Sequence, residues 1–285
     1  MVLRHVWLAP VMAVGCMLIG IFSGYIIGAA KGHFPAILPF ISDGGSFYPG
    51  ASVFAQFLNM ASFFFIILFY MRHRQAVEYY GHRLNWEETG WRKVSLALMW
   101  VGIVSTVGIT IVANFRDAEL AAMHAIGALV TFLATMIYAW GQVILGYSLV
   151  PRMAPMPVNH LRLILVILAT CFLVLHELAN AFHVFVPKSA GDPPHGWQHD
   201  KWMPSDSPFY RNYIIATSSE WAMTLTTQLF FLSFIAELRF AYAHAPRVIF
   251  KRSADDTAGM SECLAEHRNV RVVELPPVRQ IASDW

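Results

Sequence analysis

The residues able to do chemistry are acids, imidazoles and amides that interrupt long apolar runs of the sequence. His176, Asn180 and His183 are spaced i, i+4 and i+7, which predicts one polar stripe if the segment is helical. Glu177 is rotated from that stripe by roughly 100°, and Glu220 follows in the next apolar run. A histidine beside a carboxylate can act as a general acid or base, and such groups also hold neighbouring helices together.

Two interpretations of these groups are left open by the sequence: hydrogen-bonded contacts between helices, and the lining of a ligand pocket. Contacts between helices are favoured. No pair of these residues has the His-x-x-x-His spacing of a metal site, so no metal and no cofactor are predicted. No catalytic residue is assigned. The predicted polar pocket consists of Asp43, Asn114, His124, His176, Glu177, His183 and Glu220.

The composition predicts that these residues are positioned by membrane-spanning helices. The chain has 285 residues, of which 56% are hydrophobic and 13% charged, about half the charged fraction typical of soluble domains. A hydrocarbon core of about 30 Å is crossed by roughly 20 apolar residues. We therefore predict an all-α membrane protein, a six-transmembrane-helix bundle, with spans at about 7–30, 51–71, 94–115, 120–151, 163–186 and 212–238.

The distribution of lysine and arginine predicts the orientation of the bundle, because short basic loops stay in the cytosol. Arg72, Arg74, Arg83, Arg92 and Lys93 fall between the second and third spans, and further basic residues flank the fourth loop and follow the sixth span. Both termini are therefore predicted to be cytosolic, and the polar pocket lies in the luminal half. No basic aromatic face predicts a nucleic-acid partner.

The chain divides into a membrane domain, residues 1–243, and a tail, residues 244–285. The tail combines charged residues and prolines with few large apolar residues, which predicts a mostly disordered cytosolic segment. The predicted partners are membrane lipids and a cytosolic protein that binds this tail.

The segment between the first two spans contains Asp43-Gly44-Gly45. This is a turn signal, because glycine adopts positive φ at no steric cost. Turn chemistry is favoured over a functional role for these three residues.

Three stretches of the sequence resemble one known family. They are Pro39-Phe40-Ile41-Ser42-Asp43-Gly44-Gly45, then Ile111 to Phe115 followed by His124, and Glu220-Trp221 in the last span. The first resembles the "PYISDTG" luminal loop of the damage-regulated autophagy modulator (DRAM) family, although Gly44 stands where that loop usually has threonine. The resemblance extends in order over nearly all six spans.

The resemblance implies a multipass protein of the lysosome or late endosome that modulates autophagy without a catalytic reaction. The same superfamily includes a Golgi factor that remodels GPI-anchor lipids and plasma-membrane adaptors of a phosphatidylinositol 4-kinase. The alternatives are thus a remodelling factor for GPI or phosphoinositide lipids in the luminal leaflet, or a scaffold for a lipid kinase, with Golgi or plasma-membrane locations. An enzyme is disfavoured because no hydroxyl or thiol nucleophile stands out beside the acids and imidazoles.

Overall fold

The computed structural model describes residues 2–3, 5–82, 90–191 and 203–244. Within these residues six helices are long and apolar enough to cross a membrane. The elements in order are β1 (Val2–Leu3), α1 (Leu8–Ala30), a 3₁₀ helix (Ile41–Gly45), α2 (Gly50–Ala76) with a π-helical extension (Val77–His82), α3 (Gly90–Asn114), α4 (Asp117–Ser148), α5 (Met156–Asn180), α6 (Tyr210–Leu232), α7 (Ile235–Leu238) and β2 (Ala243–His244).

The predicted all-α, six-helix architecture is confirmed, and its physical cause is the bilayer. Backbone N–H and C=O groups have no water to bond in hydrocarbon, so a spanning segment must satisfy them within its own helix. Helices α1 and α2, α3 and α4, and α5 and α6 form the closest pairs, with α2 also packed on α3. We call the end that holds segments 31–49, 115–116, 181–191 and 203–209 the odd-loop end, and the opposite end the even-loop end.

Several helices extend beyond the predicted spans because charged residues are included in them. Arg72 ended the predicted second span, yet α2 continues through it to Ala76. Arg162 was placed outside the fifth span, yet α5 begins at Met156 and contains it. The fourth predicted span began at residue 120, where α4 has one non-helical residue, Leu120, although the helix itself starts at Asp117. The predicted tail beyond His244 lies outside the described residues.

The fifth helix corrects one prediction about the site. It ends at Asn180 rather than continuing to residue 186, and His183 has a left-handed backbone with φ of 49°. A residue in this conformation just after the last turn is a common way for a helix to stop. The predicted stripe of His176, Asn180 and His183 therefore breaks, because His183 is outside the helix.

The 3₁₀ helix lies directly against α1, backbone to backbone. A Cβ added to Gly24 would lie 2.8 Å from the carbonyl oxygen of Gly44, and one added to Gly44 would lie 2.9 Å from Gly24. Neither glycine has a positive φ. The turn predicted at Asp43-Gly44-Gly45 is a 3₁₀ helix, and its glycines permit close approach rather than a positive φ.

The substitution Gly24→Ala tests this contact, with Gly15→Ala as the matched control on the same helix. The added methyl at residue 24 must push the two backbones apart, a strain of about 1–3 kcal/mol. No atom lies within 4 Å of the corresponding Cβ at Gly15, so that variant should unfold at the wild-type temperature or above. Thermal unfolding of the purified protein in detergent measures both, and equal midpoints would contradict the contact.

Candidate functional site

Two acids and one tryptophan hold the first connecting segment at the odd-loop end. The backbone N–H of Phe40 donates to Asp43 Oδ2 at 2.9 Å, and that of Ile41 donates to Glu220 Oε2 at 2.9 Å. Trp221 Nε1 donates to the carbonyl oxygen of Pro39 at 2.8 Å. Both acids are buried. Three successive backbone groups are thus bonded to side chains, and two of those side chains come from the last spanning helix, α6.

Two buried imidazoles lie at the same end and bond to backbone carbonyls. His124 Nδ1 donates to the carbonyl oxygen of Phe115 at 2.8 Å, and His176 Nδ1 donates to that of Ala216 at 2.9 Å. Nδ1 carries the proton in both contacts, because a carbonyl oxygen can only accept. The ring of Phe40 lies 6.3 Å from that of His176, which connects the second imidazole to the first segment.

The seven residues of the predicted pocket differ in how deeply they are buried. Asp43, His124, His176 and Glu220 are buried at the odd-loop end. Asn114 is exposed, and its amide exchanges hydrogen bonds of 3.0 and 3.2 Å with Asn59. Glu177 is half-buried and His183 is exposed on the structure. The structure therefore places four of these residues in the interior and leaves Asn114 and His183 on the surface.

A cavity of about 860 Å³, counting its open mouth, lies between α1, α2, α3, α4 and α6. His124 and Glu220 line it at the odd-loop end, and the walls are mainly apolar, with Phe54, Phe65 and Met223 among them. An apolar cavity with a few polar groups at one end suits an amphipathic molecule. A lipid chain with a polar end is the chemical class that fits.

A second polar cluster, which the sequence did not reveal, lies at the even-loop end. Arg162 Nη1 donates to Glu237 Oε1 at 2.9 Å, and its Nη2 pairs with Glu237 Oε2. Arg72 Nη1 lies 3.4 Å from the same Glu237 Oε1. All three side chains are at most 4% exposed. Glu237 thus joins α2, α5 and α7, three elements far apart in sequence.

Aromatic and polar groups complete this charged cluster. The guanidinium carbons of Arg72 and Arg162 lie 4.3 and 4.7 Å from the ring centre of Phe234. Arg162 Nε also donates to Ser233 Oγ at 2.8 Å. The sequence placed both arginines in basic loops because each directly borders an apolar run. The sequence contained one indication that these arginines have a buried partner, which is the acid Glu237 at the end of the last apolar run.

A match to the Frag1/DRAM/Sfk1/Cwh43P N-terminal domain covers residues 5–240 of the chain. The chain belongs to the Frag1/DRAM/Sfk1/Cwh43P family. The family resemblance that the luminal-loop motif indicated is confirmed. The residues that carried it in the first segment and in α6 are those joined by the hydrogen bonds of Ile41 with Glu220 and of Pro39 with Trp221.

Individual members of the family cover most of the chain. Human DNA damage-regulated autophagy modulator protein 2 is 32% identical over 233 residues, covering 77% of this chain and 78% of the relative. Mouse DNA damage-regulated autophagy modulator protein 1 is 25% identical over 237 residues, covering 83% and 92%. The mouse modulator of macroautophagy TMEM150B is 28% identical over 185 residues, covering 64% and 74%. No solved structure matches this chain.

The hydrogen bond from Ile41 to Glu220 is tested by comparing Glu220→Leu with Glu220→Gln. Leucine leaves a buried N–H without its acceptor, which costs about 1–3 kcal/mol. Glutamine keeps an acceptor oxygen in the same place, so Glu220→Gln should lose less stability than Glu220→Leu. Thermal unfolding in detergent and proteolysis of segment 31–49 measure the difference. Equal behaviour of the two variants would contradict a structural role for this acceptor.

The charged cluster is tested by Glu237→Gln, with Glu119→Gln as control. Removing the carboxylate leaves two buried guanidinium groups without a counter-charge, which is expected to cost about 3–5 kcal/mol. Glu119 pairs with Arg116 at the surface, its side chain 60% exposed, so its loss should hardly change stability. Thermal unfolding of the two variants measures this contrast. A Glu237→Gln protein as stable as the Glu119→Gln protein would refute the role of the cluster.

Proposed function

We propose that this chain is a multipass membrane modulator of autophagy that acts in the lysosomal or late endosomal membrane without catalysing a reaction. The observation that carries the proposal is the family match over residues 5–240, together with relatives whose names describe modulators of autophagy. Six helices that can cross a membrane fit a resident membrane protein. The choice of organelle rests on the likeness of the first segment to the DRAM luminal loop.

The non-enzymatic part of the proposal is supported by how the polar residues are used. Asp43 and Glu220 accept backbone N–H groups of the first segment, and His124 and His176 donate to backbone carbonyls. A general acid or base needs a proton-transfer atom directed at substrate. Here each of the four side chains makes a hydrogen bond to the protein backbone, which favours a structural role. The lipid-remodelling alternative has no contact in the described residues that favours it.

The odd-loop end is proposed to face the lumen and the even-loop end the cytosol. Arg72 and Arg162 no longer count as loop charges, because both are buried. Arg83 and Lys201 lie outside the described residues, and among the described residues the even-loop end still has more exposed cations than the odd-loop end. The exposed cations at the even-loop end are Arg74, Arg92, Lys93, Arg152 and Arg239, and those at the odd-loop end are Lys31, Lys188 and Arg211.

The proposal predicts that cells lacking the protein have reduced turnover of autophagic cargo, and that the wild-type chain restores it. Cargo degradation is measured with and without an inhibitor of lysosomal proteases, so that synthesis and degradation are separated. The variant Ala128→Phe fills the central cavity, whereas Ala125→Phe changes an exposed residue of the same helix. If Ala125→Phe restores cargo degradation and Ala128→Phe does not, the function depends on the central cavity. Unchanged turnover after loss of the protein would refute the proposal.

Cells that lack the endogenous protein are also used to test in which organelle membrane the chain resides and which end of the bundle faces the cytosol. Lysosomes are isolated from cells that express single-cysteine variants made in a background without Cys16, Cys171 and Cys263. A membrane-impermeant maleimide should label Glu78→Cys in intact lysosomes and Ser189→Cys only after lysis. Both positions are exposed, at opposite ends of the bundle. Absence of the protein from the isolated lysosomes, or the reverse labelling pattern, would refute the assignment.

A further inference from the structure

A second cavity, of about 690 Å³ with its open mouth, lies at the even-loop end beside the charged cluster. Arg72, Arg162 and Glu237 form its inner wall, and Trp91 and Arg92 are among its other lining residues. Trp91 is half-buried and Arg92 is exposed, so the cavity runs from a surface cation to two buried ones. It is separate from the apolar central cavity, with which it shares no lining residue.

The charge of this cavity is not balanced by the residues that the structure describes. Its walls contain the guanidinium groups of Arg72, Arg92 and Arg162 but one carboxylate, Glu237. That carboxylate is bound through both oxygens by Arg162, and Arg72 shares one of them at 3.4 Å. One carboxylate neutralises one guanidinium, so a positive charge is left in the interior, where uncompensated charge is costly.

Arg72 is also the less satisfied of the two buried arginines. Its terminal nitrogens donate to Gln75 at 2.6 Å and to Gln142 at 3.3 Å, both neutral amide oxygens. Its Nε is buried and has no hydrogen-bond partner. The Arg72 side chain is 96% buried and lines the cavity. Because buried polar groups are normally hydrogen-bonded, the free Nε–H indicates an acceptor that binds in this cavity. An anion supplies both the acceptor and the missing negative charge.

We propose that this cavity binds a phosphate group, carried by a membrane lipid headgroup or by free inorganic phosphate. Guanidinium groups bind phosphate oxygens through two parallel N–H donors, which makes phosphate a better match than a single-oxygen acceptor. Basic pockets between spanning helices bind anionic headgroups at the membrane surface. Ser95 and Asn159 add polar groups to the lining. Glu237 repels an anion but is already neutralised by Arg162, so the site as a whole stays positive.

The experiment uses the full chain in detergent micelles and measures saturable binding by native mass spectrometry and by the shift in unfolding temperature. The probes are dioctanoyl phosphatidic acid, dioctanoylglycerol as the phosphate-free control, and inorganic phosphate at constant ionic strength. Phosphatidic acid should bind and dioctanoylglycerol should not. Binding of inorganic phosphate as well would identify the phosphate group alone as the ligand. Binding of the lipid only would identify the headgroup of a membrane lipid.

Matched variants locate the site. Arg92→Gln removes the cation at the mouth and should weaken phosphatidic acid binding about threefold, the order expected for one partly solvated charge. Lys93→Gln removes the neighbouring exposed cation, which does not line the cavity, and should bind like wild type. Arg72→Lys keeps the charge but loses the planar donors, and should weaken binding roughly tenfold.

The exposed position of Arg92 keeps the test independent of folding. Arg92→Gln and Lys93→Gln should unfold at the wild-type temperature without ligand, even if Arg72→Lys is too unstable to purify. Equal affinities of the Arg92 and Lys93 variants would overturn the proposal, and so would the absence of binding by both phosphatidic acid and inorganic phosphate. These results are independent of the autophagy and localisation tests, because they need only the purified protein.

Discussion

One carboxylate, Glu237, holds two buried arginines from different helices, and the arrangement of the even-loop end depends on it. Apolar packing alone does not select one arrangement of helices in a bilayer, because lipid chains are as apolar as leucine. Polar contacts and close backbone approach therefore decide which helices meet. Arg72 belongs to α2 and Arg162 to α5, and both contact an acid in α7, the last helix of the described residues. Their meeting fixes α2, α5 and α7 together.

The opposite end is fixed by α6, which forms one candidate membrane span, Tyr210–Leu238, together with α7. Glu220 and Trp221 of α6 bond Ile41 and Pro39 in the first connecting segment. That segment is held from its other side by the close contact between Gly44 and Gly24 of α1. A Cβ added to Gly44 would lie 2.9 Å from the Gly24 backbone, so any side chain at residue 44 would push this segment away from α1.

The sequence was sufficient for the parts of the fold that depend on composition. Six apolar runs predict six helices, because the bilayer enforces helix formation over a known length. The predicted spans stopped at Arg72 and Arg162 because the apolar runs were cut at charges, and a one-dimensional pattern does not reveal that both arginines contact Glu237. In the predicted site, Asp43 and Glu220 are both buried, although Asp43 was predicted to lie in a loop. His183 was misplaced because its left-handed backbone, which ends α5, leaves no signature in hydrophobicity.

The placement of charge along the last membrane span of the described residues, Tyr210–Leu238, explains why the two cavities differ in character. Its two acids lie near opposite ends of the bundle, where loops, caps and arginines satisfy them. Between them, the cavity-lining polar residues of α6 are the uncharged Thr224, Thr227 and Gln228. A charge at the centre of a bilayer is more costly than one near either surface, so this distribution keeps the central cavity nearly neutral. The central cavity is therefore suited to an apolar chain, whereas the excess positive charge beside Glu237 is suited to an anion at the membrane surface.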